Sequence, residues 1–377
     1  MAQNKALICA LLLLAISGAD SIMGLAYRNG WLAENASYVE ARPRLLPETG
    51  IPMRSKFTGI PALDEWLANL LVVFWPVGSG QNPALSTFVV YMAGQCLATH
   101  TLVVIEGIRG GNRTRFISYT SLWGMIYQTI PWGVIKPLYG AVHTITSPLA
   151  RFKTPISPRY LELAAPEGSQ AAIVAISMTL GFIVPTVFAA LPAPTILTLD
   201  QKQILLTVWQ GFPLYVGGMQ FLLSPFVRKA SASSAADRLR LLRPTYRYVL
   251  LITSISHLLV IAFATSSALQ AHLVPGLIEQ ITLKHVFVPQ SPLSAMAKPF
   301  SESCLTLLKY DLYYAAVATL LFSGRMSWIV RNTGTVKVVA ECALLSLVFG
   351  PGGAALALTW LRDEKLIQVE TMKEHEQ

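Results

Sequence analysis

Apolar stretches long enough to cross a lipid bilayer recur from one end of this 377-residue chain to the other. A spanning helix needs about 20 predominantly apolar residues. In hydrocarbon only a helix or a closed barrel satisfies its own backbone polar groups. The pattern places spans at roughly 6–27, 85–108, 118–143, 169–192, 203–225, 245–268, 304–323 and 335–361. The expected fold class is all-α: a polytopic transmembrane helical bundle of about eight spans, with residues 1–377 as a single transmembrane domain. Asp, Glu, Lys and Arg make up 13% of the chain, against about 25% in a soluble domain.

The net charge of +9 does not point to a nucleic-acid partner, because the basic residues sit in short loops flanking apolar segments, where they orient spans in the bilayer. The loop 226–243 is the most basic, with Arg228, Lys229, Arg238, Arg240 and Arg243 against Asp237. It reads as cytoplasmic. Alternation makes 28–61, 146–168 (Arg151, Lys153, Arg159) and 324–334 cytoplasmic as well, and puts both termini in the lumen of the endoplasmic reticulum. Of two sequons, at Asn35 and Asn112, only the second is then lumenal. Segment 6–27 reads as a retained signal-anchor helix interrupted by Asp20. Segment 62–80 is apolar only from Leu67 to Val77, so it is expected at the interface, as a re-entrant piece, or packed under the bundle.

Pro131 and Pro137, Pro185, Gly211-Phe-Pro213 and Gly350-Pro-Gly-Gly353 interrupt several spans. Kinks and close helix packing are the ordinary account; broken helices that open a cavity are the functional one. The four cysteines, Cys9, Cys96, Cys304 and Cys342, have no metal or redox spacing and are expected to pack as small apolar side chains.

An ionisable group at the centre of a span costs about 2.5–3.5 kcal/mol on insertion scales. That singles out Asp20, Glu106, Lys136, His143, His257, Lys309, Asp311 and Glu341. Glu106 continues a polar stripe through Gln95 and Thr99; its structural reading is an ion pair with Arg109, one turn on. Asp311 lies in Lys309-Tyr-Asp-Leu-Tyr-Tyr314, with Tyr314 one turn away; its structural reading is a pair with Lys309 or Lys136. In the expected topology the two acids reach similar depth. Two carboxyls in one apolar pocket would keep one of them protonated, as a general acid. Asp64-Glu65 fit the acidic first turn of a helix, and Glu341 is expected to pair with Lys337. Trp123 and Tyr127 share a helix face. They belong either to an interfacial belt or to an aromatic pocket that stabilises a cation by up to about 2 kcal/mol per ring. There is no histidine cluster, P-loop, dinucleotide fingerprint or nucleophile elbow, so neither a metal nor a cofactor is expected.

The run Ile60-Pro-Ala-Leu-Asp-Glu-Trp-Leu-Ala-Asn-Leu-Leu-Val-Val-Phe-Trp-Pro-Val77, with Asn82-Pro-Ala-Leu-Ser86, Gly94-Gln95 and Ile105-Glu-Gly-Ile-Arg-Gly-Gly-Asn112, resembles fungal multi-pass membrane terpene cyclases of meroterpenoid biosynthesis, the ascochlorin and ascofuranone type. The resemblance implies an isomerase that needs no metal. The terminal epoxide of a farnesylated aromatic is protonated, the prenyl chain closes, and proton loss ends the reaction. It carries Glu106 and Asp311 over as acid and partner, with Asp64 as a weaker third. Gln95, Trp123, Tyr127 and Tyr314 are the candidate substrate contacts. The chain lacks the DDxxD and NDxxD pairs of magnesium-dependent prenyl enzymes and the DxDD acid motif of soluble cyclases, so a proton donor has to come from the intramembrane acids. On this reading Glu106→Gln and Asp311→Asn both abolish product. The alternative is a proton-coupled secondary transporter or product exporter using the same acids, which the lack of an internal repeat disfavours.

Overall fold

The computed structural model describes residues 2–151, 156–227, 234–277 and 280–376. Lys153, Arg228 and Lys229 of the two basic loops lie outside the described residues. The architecture is all-α; among the described residues the only β pairing is two isolated bridges, Leu45 with Pro52 and Arg109 with Pro166.

The principal helices are α1 (Ala2–Ala19), α2 (Trp31–Glu40), α3 (Pro61–Ser79), α4 (Pro83–Gly107), α5 (Thr120–Thr129), α6 (Trp132–Thr146), α7 (Gly168–Met178), α8 (Leu199–Trp209), α9 (Phe212–Leu223), α10 (Arg243–Thr265), α11 (Phe300–Arg331) and α12 (Thr335–Glu376). Both α1 and α7 continue through a π-turn, at Asp20–Gly24 and Thr179–Ile183, into a further helical stretch.

Among the described residues six helices are long and apolar enough to cross a membrane: Asn4–Arg28, Pro83–Gly107, Gly168–Ala190, Ala235–Thr265, Phe300–Arg331 and Thr335–Met372. The eight expected spans are corrected accordingly, because two of them are broken. Segment 118–143 divides into α5 and α6, since Pro131 drives Ile130 into an extended conformation (φ −113°, ψ 141°). Segment 203–225 divides into α8 and α9 at Gln210-Gly211, just before Pro213, which has no N–H to continue a helix. Segment 62–80 is α3. It is not among the six, and it buries Leu71, Val72 and Trp75 in a cluster with Trp31, Leu46 and Phe300.

Close backbone approaches draw the helices together. A Cβ on Gly133 of α6 would lie 2.8 Å from the Asp311 carbonyl oxygen on α11, and one on Gly18 of α1 would lie 3.0 Å from the Gly133 carbonyl oxygen. Small residues at crossings permit such contact. The Ser17 and Ser21 hydroxyls then reach Tyr314 Oη at 2.8 and 2.9 Å. In α12 the backbone breaks at Gly350 (φ 69°), ahead of Pro351. The Gln95 side chain fills the break: its Oε1 accepts from Gly352 N–H at 2.8 Å and its Nε2 donates to the Phe349 carbonyl at 3.2 Å.

One local expectation is corrected. Glu341 pairs with Arg331 of the preceding helix, with two contacts of 2.7 Å, rather than with Lys337. Asn112 is no open sequon: its buried amide donates to the Glu106 carbonyl at 2.7 Å and accepts from Ser147 Oγ at 2.6 Å.

Candidate active site

The two helix breaks face each other across a small buried cavity. Tyr127 and Gln128 line it from the end of α5 and Trp132 from the start of α6; Trp209 and Phe212 flank the second break. The Gln128 amide donates to Gln210 Oε1 at 3.1 Å, tying the breaks together. Met92, Cys96, Thr99 and His100 of α4, Phe74 of α3, and Leu308 and Asp311 of α11 complete the wall. Irregular backbone at membrane depth is tolerated where it is buried in protein or lines a cavity.

The enclosed volume is about 60 Å³, whereas ligand pockets run to about 300–1,000 Å³. Two larger clefts, of about 920 and 1060 Å³, open at the surface, and neither contains Asp311 or Glu106.

Asp311 is the one carboxyl in the cavity wall among the described residues. Its Oδ1 accepts from the Gly133 N–H at 2.7 Å, at the N-terminus of α6, where unsatisfied N–H groups gather. It has no cationic partner among the described residues. Lys309 donates instead to the carbonyls of His285 and Val288 at 2.7 and 3.0 Å. Lys136 donates to the Thr99 carbonyl at 3.0 Å, with its Nζ 5.4 Å from the Tyr127 ring and 5.8 Å from the Trp132 ring. His100 packs edge-on to Phe212 with ring centroids 5.2 Å apart, and its Nδ1 is hydrogen-bonded to Tyr127 Oη.

Glu106 does not share this chamber. It lies about two helical turns beyond Thr99 along α4, where the chain brings up a buried charge cluster. Its Oε1 accepts from Arg109 Nε at 2.8 Å and from Arg362 Nη2 at 2.6 Å, while Oε2 stands 3.1 Å from His143 Nε2. Arg109 also bonds Asp363 at 3.0 Å, and the Tyr246 hydroxyl donates to the same carboxylate at 2.7 Å. Two guanidinium groups face two carboxylates, so the formal charges of these four residues cancel.

The remaining candidates are dispersed. Asp64 accepts from the backbone N–H groups of Phe57, Thr58 and Gly59 and from the Thr58 hydroxyl. Those bonds, the Thr58 N–H foremost, hold its carboxyl below the usual carboxylate range. Gln95 serves the α12 break. Trp123 is buried against Tyr139, 5.2 Å between centroids, and its Nε1 donates to the Phe116 carbonyl at 3.2 Å. Tyr314 is held by the serines of α1. Of the four candidate substrate contacts only Tyr127 lines the cavity.

The sequence does not single out His100, Gln128 and Phe212, nor Arg362 and Asp363, whereas Trp209 is among its aromatic candidates. His100 adjoins Thr99 of the polar stripe, which was its available signal. Arg362 and Asp363 follow directly on the last apolar run, where loop charges are ordinary.

The CtvD domain matches residues 6–367, and the chain belongs to the CtvD-domain family. It is 29% identical to the terpene cyclase ascI of Acremonium egyptiacum over 328 residues, 84% of this chain and 81% of the relative. It is likewise 29% identical to the terpene cyclase ctvD of Aspergillus terreus over 354 residues, 93% and 97% of the two chains. A further relative, the FAD-dependent monooxygenase verC1 of Penicillium polonicum, is 24% identical over 267 residues, 70% of this chain but 30% of the relative. No solved structure matches. With this family membership the chain is a terpene cyclase, an enzyme that closes rings in a prenyl chain, carried on membrane-type helices.

Proposed function

We propose that the chain is a multi-pass cyclase of the endoplasmic reticulum membrane that protonates the terminal epoxide of a farnesylated aromatic, a meroterpenoid precursor, with Asp311 as the proton donor. The observation that carries this reading is a carboxyl with no counter-charge in the wall of an aromatic cavity. Burying a charge without a partner is costly, so such a site favours an acid that keeps its proton until a substrate oxygen arrives.

Transfer of that proton to the epoxide oxygen breaks its bond to the terminal carbon as the neighbouring double bond supplies the electron pair for ring closure. The cation then migrates among the faces of Tyr127, Trp132 and Trp209, which stabilise it as they would an ammonium group. The narrow, largely apolar walls leave little room for water to capture it. Loss of a proton from carbon completes an isomerisation.

The epoxide draws support from the relative whose matching part is 30% of a chain named an FAD-dependent monooxygenase. Oxygen insertion into a terminal double bond is the reaction that would supply this substrate.

The surroundings of Glu106 and Asp64 favour other roles than proton donation. Glu106 is an ion-paired carboxylate, and Asp64 is an acceptor for four donors. The relatives ascI and ctvD are named as enzymes, and no feature of the cavity favours the carrier reading.

The test is direct. Microsomes containing the chain are incubated with terminal epoxides of farnesylated phenols, and products of unchanged mass are sought. Wild type should form a cyclised isomer and Asp311→Asn should not. Full turnover by Asp311→Asn removes the assignment of the donor, and no isomer from a series of such epoxides removes the reaction.

A further inference from the structure

A cyclisation that starts with a proton must also end with one leaving, and it leaves from a carbon at a different place in the chain from the oxygen that Asp311 protonates. We propose that His100 is the terminating base: its imidazole takes the proton from the carbon beside the last cation and so decides which alkene is made. The inference rests on the cyclase reading above.

Three observations carry it. First, His100 lines the same cavity as Asp311, on the facing helix α4. Second, it is 2% exposed, and its Nε2 is buried with no hydrogen-bond partner among the described residues. A buried polar atom left unpaired costs about 1–3 kcal/mol, and such orphans in a native structure call for an explanation. Third, its other nitrogen is tied to Tyr127 Oη, and Phe212 packs edge-on to the ring. With the ring proton on Nδ1 and donated to Tyr127 Oη, Nε2 carries a free lone pair. A hydrogen bond to one imidazole nitrogen commonly sets which tautomer the other presents. His143 makes a contrast: its Nε2 is taken up by Glu106 in the charge cluster.

The proton balance closes. One proton moves from Asp311 to the epoxide oxygen, which becomes a hydroxyl. A C–H bond next to the final cation breaks, its electron pair becomes the new C=C, and Nε2 of His100 takes the proton. The imidazolium then returns a proton to the Asp311 carboxylate, and the product has the mass of the substrate. Asp311 would decide whether the reaction starts and His100 where it stops.

The experiment compares wild type, Asp311→Asn and His100→Gln in microsomes given an epoxide that wild type cyclises. Products are separated and identified by mass spectrometry and NMR, with folded protein quantified by size exclusion. His100→Gln should consume the epoxide within about tenfold of the wild-type rate while its product shifts to other alkene isomers and to hydrated material 18 mass units heavier. Asp311→Asn should consume it about 10²–10⁴-fold more slowly. If His100→Gln does not accumulate, His100→Asn and Tyr127→Phe replace it with the same readout. A folded His100 variant that makes the single wild-type alkene overturns the proposal and leaves the cyclase reading standing. Absence of any wild-type isomer strikes the cyclase reading itself.

Discussion

Glu106 and Asp311 are both buried acids on membrane-type helices, and both carry the same burden of desolvation. They end in opposite surroundings. Around Glu106 the bundle assembles Arg109, Arg362 and Asp363, so that charge meets charge at 2.6–3.0 Å, with the His143 ring 3.1 Å away. Around Asp311 it assembles aromatic rings, a backbone N–H and empty space. The difference teaches that an intramembrane acid is not by itself a catalytic signal. A neutralised acid clamps helices, here α4 and α12 directly, while an unneutralised one is the candidate to hold a proton for chemistry. Removing one partner of a buried ion pair is strongly destabilising even where the intact pair contributes little net stability.

The comparison can be broken by experiment. The largest effect is expected for Asp311→Asn: a loss of about 10²–10⁴-fold in turnover, the range of general acid catalysis, with thermal unfolding in detergent close to wild type. An equal fall in melting temperature would place Asp311 among the structural acids. Glu106→Gln should do the reverse, costing about 3–5 kcal/mol of stability and lowering folded yield while turnover per folded molecule stays within a few-fold. A folded, stable and inactive Glu106→Gln would erase the distinction and return Glu106 to the reaction.

Gly133→Ala sharpens the active side of the contrast. The added Cβ would meet the Asp311 carbonyl oxygen at 2.8 Å, so α6 must shift and take with it the N–H that positions the carboxyl. About a tenfold loss of kcat is expected, since misplacement of about 1 Å can cost more than that; unchanged kinetics would show that this positioning is idle.

The smallest effect concerns Asp64, the acid outside the six long helices. Its folded-state carboxyl sits below the usual range through the Thr58 N–H and its neighbours. It therefore stabilises the fold at pH values above the unfolded value of about 4, and that contribution is lost as the pH falls through the folded value. Asp64→Asn should melt below wild type at neutral pH, with the gap closing in acid; a gap independent of pH would contradict the hydrogen-bonding account.

The helical class was legible because hydropathy is written locally, and the broken spans were marked by Pro131, Gly211 and Pro213. The count of eight overshot because apolar length does not reveal that Ile130 leaves the helix. Asp311 and Tyr127, singled out by residue type and position, line one cavity. Gln95 and Tyr314 were drawn from the same signals, yet they hold α12 and α1 in place. A polar side chain on an apolar helix must bond to something, and its own segment does not say whether that is a ligand or a neighbouring backbone.

What the chain's sequence determined alone is the all-α class, the prolines and glycines that mark helix breaks, and the short inventory of acids, all consequences of local composition. Which acid meets a counter-charge was decided by the tertiary structure. Arg362 reaches Glu106 from 256 positions away, and Gly133 reaches Asp311 from 178. The physical reason is that neutralisation acts over a few ångströms in a low-dielectric interior, and only folding makes such distant residues neighbours.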